Sequence, residues 1–106
     1  MSIMTMVQAI NNALDIKLAE DKSIVTYGED VGVEGGVFRV TEGLQKKYGA
    51  DRVFDSPLAE SAIVGTGLGM AMSGLRPVVE LQFDGFTYPA FNQIISNVSR
   101  MNNRTR

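Results

Sequence analysis

Residues 60–83, "ESAIVGTGLGMAMSGLRPVVELQF", decide the fold, because a segment of helical length runs directly into a short apolar segment. The first part, through Gly74, is predicted to be helical, although each glycine costs a helix about 1 kcal/mol relative to alanine. The second part, Arg76 to Phe83, is predicted to be a strand, and Pro77 stands near its start, where a strand permits proline. The stretch therefore predicts a helix that leads into a strand of a layered fold.

The same alternation of helix and strand occurs on the N-terminal side of this stretch. The tetrapeptide "TMVQ" (5–8) has the form of a capping box and begins a predicted helix that reaches about Glu20. The run "IVTYG" (24–28) is short, rich in β-branched residues and closed by glycine, which is typical of a buried strand. A helix and a strand are therefore predicted before the central stretch.

Shorter elements complete the chain. The segment "TEGLQKKYG" (41–49) predicts a short helix closed by glycine, and "RVF" (52–54) a short strand. Ala90 to Met101 predicts a last helix, and "VGVEGGVF" (31–38), with three glycines and no clear period, predicts a mobile loop. This order of elements predicts an α/β protein with a mostly parallel sheet covered by helices.

Composition narrows the class of protein. The chain has 106 residues, of which 44% are hydrophobic and 21% charged, so one globular domain is expected. The formal net charge of -2 does not suit binding to nucleic acid, and the sequence contains neither cysteine nor histidine. The N-terminal residues do not resemble a signal peptide, and no apolar run reaches the length of a membrane span. We therefore expect a cytoplasmic protein that binds neither nucleic acid nor membrane.

Polar residues follow the two clearest predicted strands. Glu29 and Asp30 come directly after the first, while Gln82, Asp84 and Phe86 mark the end of the second. In a parallel sheet, ligands bind at the carboxyl ends of the strands, so these residues are candidates for a binding rim. The alternative is that the acids are solvated loop residues and that Phe86 only packs at the surface.

The glycines of "GTGLGMA" (65–71) suggest a dinucleotide-binding fingerprint, but the spacing does not fit, since Met70 stands where a third glycine belongs. The segment "AIV" (62–64) is also too short for the strand that must precede such a motif. A surface of small residues on one helix explains the pattern better, because it lets another helix approach closely. The small-residue surface comprises Ala62, Gly65, Thr66, Gly69 and Ser73.

Glu60 stands at the start of the predicted central helix. An acid in the first turn is favoured by the helix dipole by roughly 0.3 to 1 kcal/mol, which is a sufficient structural reason for it. The alternative interpretation is that Glu60 moves a proton, and the residue alone does not decide between the two.

The motifs "GEDVG", "GGVFRVTEGL", "DRVFDSPLAE" and "GLRPVVELQF" occur here in an order that is highly specific. Essentially the whole chain resembles the N-terminal part of the beta subunit of thiamin-diphosphate-dependent 2-oxo acid dehydrogenases, the decarboxylating components of the pyruvate and branched-chain complexes. Beta chains of this family are longer. The resemblance thus implies that residues 1–106 are the N-terminal part of the pyrimidine-binding domain, without the C-terminal domain.

The resemblance also implies site residues. Glu60, in "SPLAE", matches the catalytic glutamate that hydrogen-bonds the aminopyrimidine ring of the cofactor. Leu58 and Gln82 match positions that line the pyrimidine pocket, and Phe86 matches an aromatic position packed against the cofactor. Glu29, in "GEDV", matches a buried acid near the glutamate that takes part in a proton relay. All five are implied to be cofactor-binding, and no metal ligand is expected in this chain.

The chemistry of the cofactor accounts for the residue at position 60. A carboxylic acid in a dry pocket favours its neutral form, so it can hold a proton toward a ring nitrogen of thiamin diphosphate. An apolar surrounding of Leu58, Ala59, Ala62 and Phe86 would maintain that form. The cofactor supplies the organic chemistry, while the protein supplies position and the proton.

The resemblance implies several partners. An alpha subunit would bind Mg²⁺ and the diphosphate and form a heterotetramer with the beta chain, and a lipoyl acyltransferase core would accept the acyl group. The substrate would be a 2-oxo acid, and the sequence does not choose between pyruvate and branched-chain acids. Two alternatives stay open: a related transketolase-like thiamin-diphosphate domain, and a dinucleotide-binding module.

Overall fold

A computed structural model describes residues 3–105 of the chain. Its helices and strands alternate as the sequence predicts. The helices are α1 (Met6–Glu20), α2 (Leu44–Tyr48), α3 (Glu60–Met72), α4 (Thr87–Asn92) and α5 (Met101–Arg104), and the strands are β1 (Ile24–Gly28), β2 (Val53–Asp55) and β3 (Arg76–Val79). A 3₁₀ turn, Asp84–Phe86, precedes α4, and a π-helical segment, Gln93–Val98, follows it.

The strands form one parallel sheet in the order β2-β1-β3. Thr26 is the centre of the register, since it pairs with Val53 on one side and with Val78 on the other. Every residue of β1 is buried, as expected for the middle strand of a parallel sheet covered on both faces. The predicted α/β class with a parallel sheet is confirmed.

The first helix begins where the sequence predicts. The Thr5 hydroxyl accepts a hydrogen bond from the Gln8 backbone N–H, and the Gln8 side chain accepts one from the Thr5 N–H, which completes the capping box. Leu18 is the buried residue of this helix and joins the main core. That core consists of Leu18, Ile24, Val31, Leu44 and Val53.

The third strand is shorter than predicted, because it ends at Val79 and not at Phe83. The Glu80 backbone N–H still donates to the Tyr27 carbonyl oxygen at 2.9 Å, but β1 itself stops one residue later, at Gly28. A strand continues only as far as its partner provides hydrogen-bonding groups. Residues 80–83 therefore leave the sheet and form what we call the β3 extension.

The last predicted helix, Ala90 to Met101, is wrong in its bounds. Helical structure starts earlier, at Thr87, changes to π-helical geometry at Gln93, and is interrupted before Met101. Much of its apolar side is exposed in this chain, including Phe91, Ile95 and Val98. Within residues 3–105, no helix combines the length and the apolar character needed to cross a bilayer.

The glycines of the central helix differ in what surrounds them. A Cβ atom on Gly67 would lie 3.1 Å from Val79 Cγ1 and 3.2 Å from the Tyr27 hydroxyl, so the absence of a side chain lets α3 lie close on the sheet. A Cβ on Gly69 would meet nothing within 4 Å. Residues 62–64 lie inside α3 and form no strand, so the dinucleotide-fingerprint alternative is wrong.

Candidate functional site

Polar residues from three elements meet at the carboxyl edge of the sheet. Glu29 follows β1, Gln82 lies on the β3 extension, and Glu60 is the first residue of α3. The chain reaches α3 by crossing the end of β1, where the Ser56 N–H donates to the Gly28 carbonyl oxygen at 2.9 Å. This crossing is what brings Glu60 beside Glu29, although the two residues are far apart in the sequence.

Glu60 is 8% exposed, which is unusual for a carboxylate. It stands at the N-terminus of a 13-residue helix whose N-cap, Ala59, has no side chain that can accept a hydrogen bond. The ion pairs among residues 3–105 involve other acids, so no cation of this part of the chain neutralises Glu60. A buried acid of this kind is either neutral or requires a hydrogen-bonding partner.

Glu29 is 9% exposed, and its pKa is raised. Burial is the main cause, and the negative charges of Glu60 and Asp30 add to it. The nearby negative charge of Glu60 thus favours the form of Glu29 that has its proton bound. Two buried acids therefore lie side by side at this edge of the sheet, and Glu29 is the one whose surroundings favour a bound proton.

Gln82 contacts the turn that carries Glu29. Its side-chain Nε2 donates to Asp30 Oδ2 at 3.3 Å and lies 3.5 Å from the Glu29 carbonyl oxygen. Asp30 has a φ of 58°, in the left-handed region that aspartate tolerates better than most residues. The amide of Gln82 thus braces the turn after β1, a contact that the sequence does not indicate.

Leu58 and Phe86 lie on the rim and not against the acids. Leu58 is 77% exposed, so within this chain it does not supply the apolar surrounding expected for Glu60. Phe86, on the 3₁₀ turn, is 40% exposed and packs edge-to-face on Phe83, with ring centroids 5.2 Å apart. The structure therefore gathers Glu29, Glu60 and Gln82 and leaves the two apolar side chains open for contact from outside.

The glycine-containing loop after Asp30, residues 31–43, is more firmly held than the predicted mobile loop. Thr41 Oγ1 donates to the Val31 carbonyl oxygen at 2.7 Å, and the Thr41 N–H donates to the Gly35 carbonyl oxygen at 3.0 Å. The Gly32 N–H donates to Asp55 Oδ1 at 2.7 Å. These bonds close the base of the loop against the core.

Sequence reasoning missed Glu80, the first residue of the β3 extension. Burial raises its pKa, and its Oε1 atom is buried without a hydrogen-bond partner among the described residues. Val79 faces α3, so Glu80 points to the other face of the sheet and lines a cavity of about 170 Å³ below α1 and the loop. Alternation along the strand did not indicate a buried acid here, because Val78, on the same side of the strand, is exposed.

Comparison with known proteins identifies the family that the chain resembles. A family model described as "Transketolase, pyrimidine binding domain" matches residues 2–106. The pyruvate dehydrogenase E1 component subunit beta of Acholeplasma laidlawii is 58% identical over 106 residues, which is 100% of this chain and 32% of the relative. The 3-methyl-2-oxobutanoate dehydrogenase subunit beta of Mycobacterium tuberculosis is 59% identical over 103 residues, 97% of this chain and 30% of the relative.

A third relative, the 2-oxoisovalerate dehydrogenase subunit beta of Pseudomonas aeruginosa, is 56% identical over 102 residues, 96% of this chain and 29% of the relative. The chain thus spans about a third of the length of the curated relatives it matches. These matches confirm the resemblance indicated by the sequence motifs.

Proposed function

This chain belongs to the family of transketolase pyrimidine-binding domains, and from that premise we propose that it binds and activates the aminopyrimidine ring of thiamin diphosphate in a 2-oxo acid dehydrogenase. The observation that carries the proposal is the Glu29–Glu60 pair. A buried acid at a helix N-terminus is coupled there to a second buried acid whose pKa is raised. Such a pair suits a site that must present a proton to a ligand.

The residues present fit this cofactor. A protonated Glu60 has an O–H to donate, no cation of residues 3–105 pairs with it, and a ring nitrogen is an acceptor that would satisfy it. Leu58 and Phe86, exposed on the rim, would supply the apolar contacts of a flat ring. When bound, thiamin diphosphate supplies a nucleophilic carbon that attacks the carbonyl carbon of a 2-oxo acid.

The roles of the chain's own residues follow from their positions. Glu60 holds the proton toward the ring nitrogen, and Glu29, whose pKa is raised by burial and by the charge of Glu60, exchanges a proton with it. Gln82 keeps Glu29 and Asp30 in place through its amide. In this proposal the catalytic residue is Glu60, and Gln82 is a positioning residue.

The proposal includes partners outside this chain. An alpha subunit would hold Mg²⁺ and the diphosphate and complete a heterotetramer, in the cytoplasm, with a lipoyl acyltransferase core as acceptor of the acyl group. The names of the relatives include both pyruvate dehydrogenase and branched-chain enzymes at nearly equal identity, 58% and 59%. The proposed substrate class is therefore a 2-oxo acid of either type, oxidatively decarboxylated.

The substitution Glu60→Gln in the assembled enzyme tests the proposal. Glutamine keeps the shape of the side chain and can still hydrogen-bond the ring, but it cannot transfer a carboxylic proton. We expect cofactor affinity to change little, and hydrogen–deuterium exchange at the thiazolium carbon to slow by about 10²-fold or more.

The matched control is Glu42→Gln, an exposed acid on the loop, which should leave the exchange rate unchanged. If Glu60→Gln exchanges deuterium as fast as the wild type, Glu60 is only a helix-end acid and the proposal fails. Binding of NAD in place of thiamin diphosphate by the wild-type protein would also contradict it.

A further inference from the structure

Three phenylalanine rings form a row along the rim of the candidate site. Phe38, from the loop, packs edge-to-face on Phe83 of the β3 extension, with centroids 5.5 Å apart and planes at 74°. Phe83 packs in the same way on Phe86, at 5.2 Å and 73°. All three rings are exposed over more than a third of their surface, so each depends on its ring neighbour for much of its packing.

The three rings lie on segments with different support. Phe86, at one end of the row, lies on a short 3₁₀ turn that has no side-chain cap, and Phe83, in the middle, lies outside the sheet. Phe38, by contrast, belongs to the loop whose base is closed by hydrogen bonds at Thr41 and Gly36. Because hydrogen bonds hold the base of the loop, Phe38 has a support that does not depend on Phe86.

The edge-to-face orientation of the rings restricts how each ring can rotate. Edge-to-face pairs place the positive edge of one ring against the negative face of the next, so each ring restricts the rotation of its neighbour. An aliphatic side chain of similar size would fill the space next to Phe83 without this restriction. The two contacts therefore connect the orientation of Phe86, through Phe83, with that of Phe38.

We propose that Phe38 is a positioning residue for the ligand-contacting ring of Phe86 and acts on it through Phe83. This inference rests on the proposed function, in which Phe86 contacts the thiamin-diphosphate ring. The loop then has a defined role: it presents Phe38 as a fixed aromatic anchor at the rim. Removal of the aromatic edge at position 38 lets the Phe86 ring move more freely and so weakens cofactor binding, although the Phe38 side chain does not itself contact the cofactor.

The test compares Phe38→Leu, which keeps apolar bulk, with Phe38→Tyr, which restores an aromatic edge, in the full assembled enzyme. The control is Val33→Ala, an exposed apolar residue of the same loop. Para-fluorophenylalanine incorporated at position 86 gives a fluorine NMR signal that reports the ring environment before any cofactor is added. Thiamin diphosphate with Mg²⁺ is then titrated into each variant.

We expect Phe38→Leu to shift the fluorine signal and to raise the Kd for thiamin diphosphate about fivefold, the scale of a lost aromatic pair. Phe38→Tyr should keep the fluorine signal and the Kd near their wild-type values, and Val33→Ala should change neither. An unmoved fluorine signal in Phe38→Leu overturns the proposal, as does equal weakening by Phe38→Leu and Phe38→Tyr. Failure of the wild type to bind thiamin diphosphate overturns the proposed function instead, while the fluorine signal still shows whether Phe38 orients Phe86.

Discussion

Replacement of Glu80 by glutamine should stabilise the chain at neutral pH and remove part of its pH dependence. Glu80 lines a cavity whose walls come from Ile10 and Leu14 of α1, Thr26 of β1 and Thr41 of the loop, and none of these side chains is charged. Burial alone accounts for its raised pKa. The ionised carboxylate of Glu80 is therefore destabilised by the loss of hydration, and no counter-ion among the described residues offsets this.

The direction of the pH effect follows from the raised pKa of Glu80. A carboxyl with a higher pKa in the folded state binds its proton more tightly there than in the unfolded state, so the contribution to stability is complete at low pH. This contribution is lost as the pH rises through the folded-state pKa. Glutamine has the same shape and no proton to lose, so the variant does not show this loss.

The magnitude is set by the charge of Glu80, because the glutamine amide would leave the same buried position unpaired. An unpartnered buried polar group costs about 1 to 3 kcal/mol, and more when it is charged; because the Glu80 side chain is only half-buried, we take about 1 kcal/mol as the difference between the charged and the neutral group. For a domain of this size that corresponds to about 4 to 8 °C in Tm at pH 7. At pH 4 and below, where the carboxyl is protonated, the two proteins should unfold at nearly the same temperature.

Thermal unfolding of the chain between pH 4 and pH 8, followed by circular dichroism, measures this difference. Glu42→Gln is the control, because it removes the same charge from an exposed position. A Glu80→Gln variant whose Tm stays parallel to the wild type across this range would refute the reasoning. It would mean that the Glu80 carboxylate is already satisfied in its ionised form.

Other predictions concern the glycines of α3 and the dependence on a partner. Gly67→Ala should destabilise the chain by about 1 to 3 kcal/mol, since the new Cβ would press on Val79 and Tyr27. Gly69→Ala should instead stabilise it by about 0.4 to 1 kcal/mol, because a Cβ there meets nothing. Equal midpoints of urea unfolding for the two variants would contradict both expectations. Gly69→Val should weaken assembly with the alpha subunit if the small-residue surface is a subunit contact, and an unchanged sedimentation profile would rule that out. The chain alone, with Mg²⁺ and thiamin diphosphate, should not decarboxylate any 2-oxo acid, and measurable turnover would contradict the need for an alpha subunit.

The local elements were predictable because their causes lie within a few residues. The capping box at Thr5, the strand from Ile24 to Gly28 and the helix from Glu60 each depend on short-range hydrogen bonds or on the spacing of apolar residues. The candidate acids were also predictable, since Glu29 and Glu60 stand at the ends of such elements. The length of β3 was not predictable from its own residues, because a strand ends where the neighbouring strand ends.

The amino-acid sequence by itself determined the class of fold, the family resemblance and which side chains can carry a proton. Only the tertiary structure decided how the segments meet. The Gln82 amide braces Asp30 from 52 positions away, Gly67 and not Gly69 lies tightly against the sheet, and the Oε1 atom of Glu80 is buried without a hydrogen-bond partner among residues 3–105. The physical reason is that burial and hydrogen bonding at this site join segments that are distant in the sequence. The spacing of apolar residues predicts the structure of each segment separately, but only packing brings distant segments into contact.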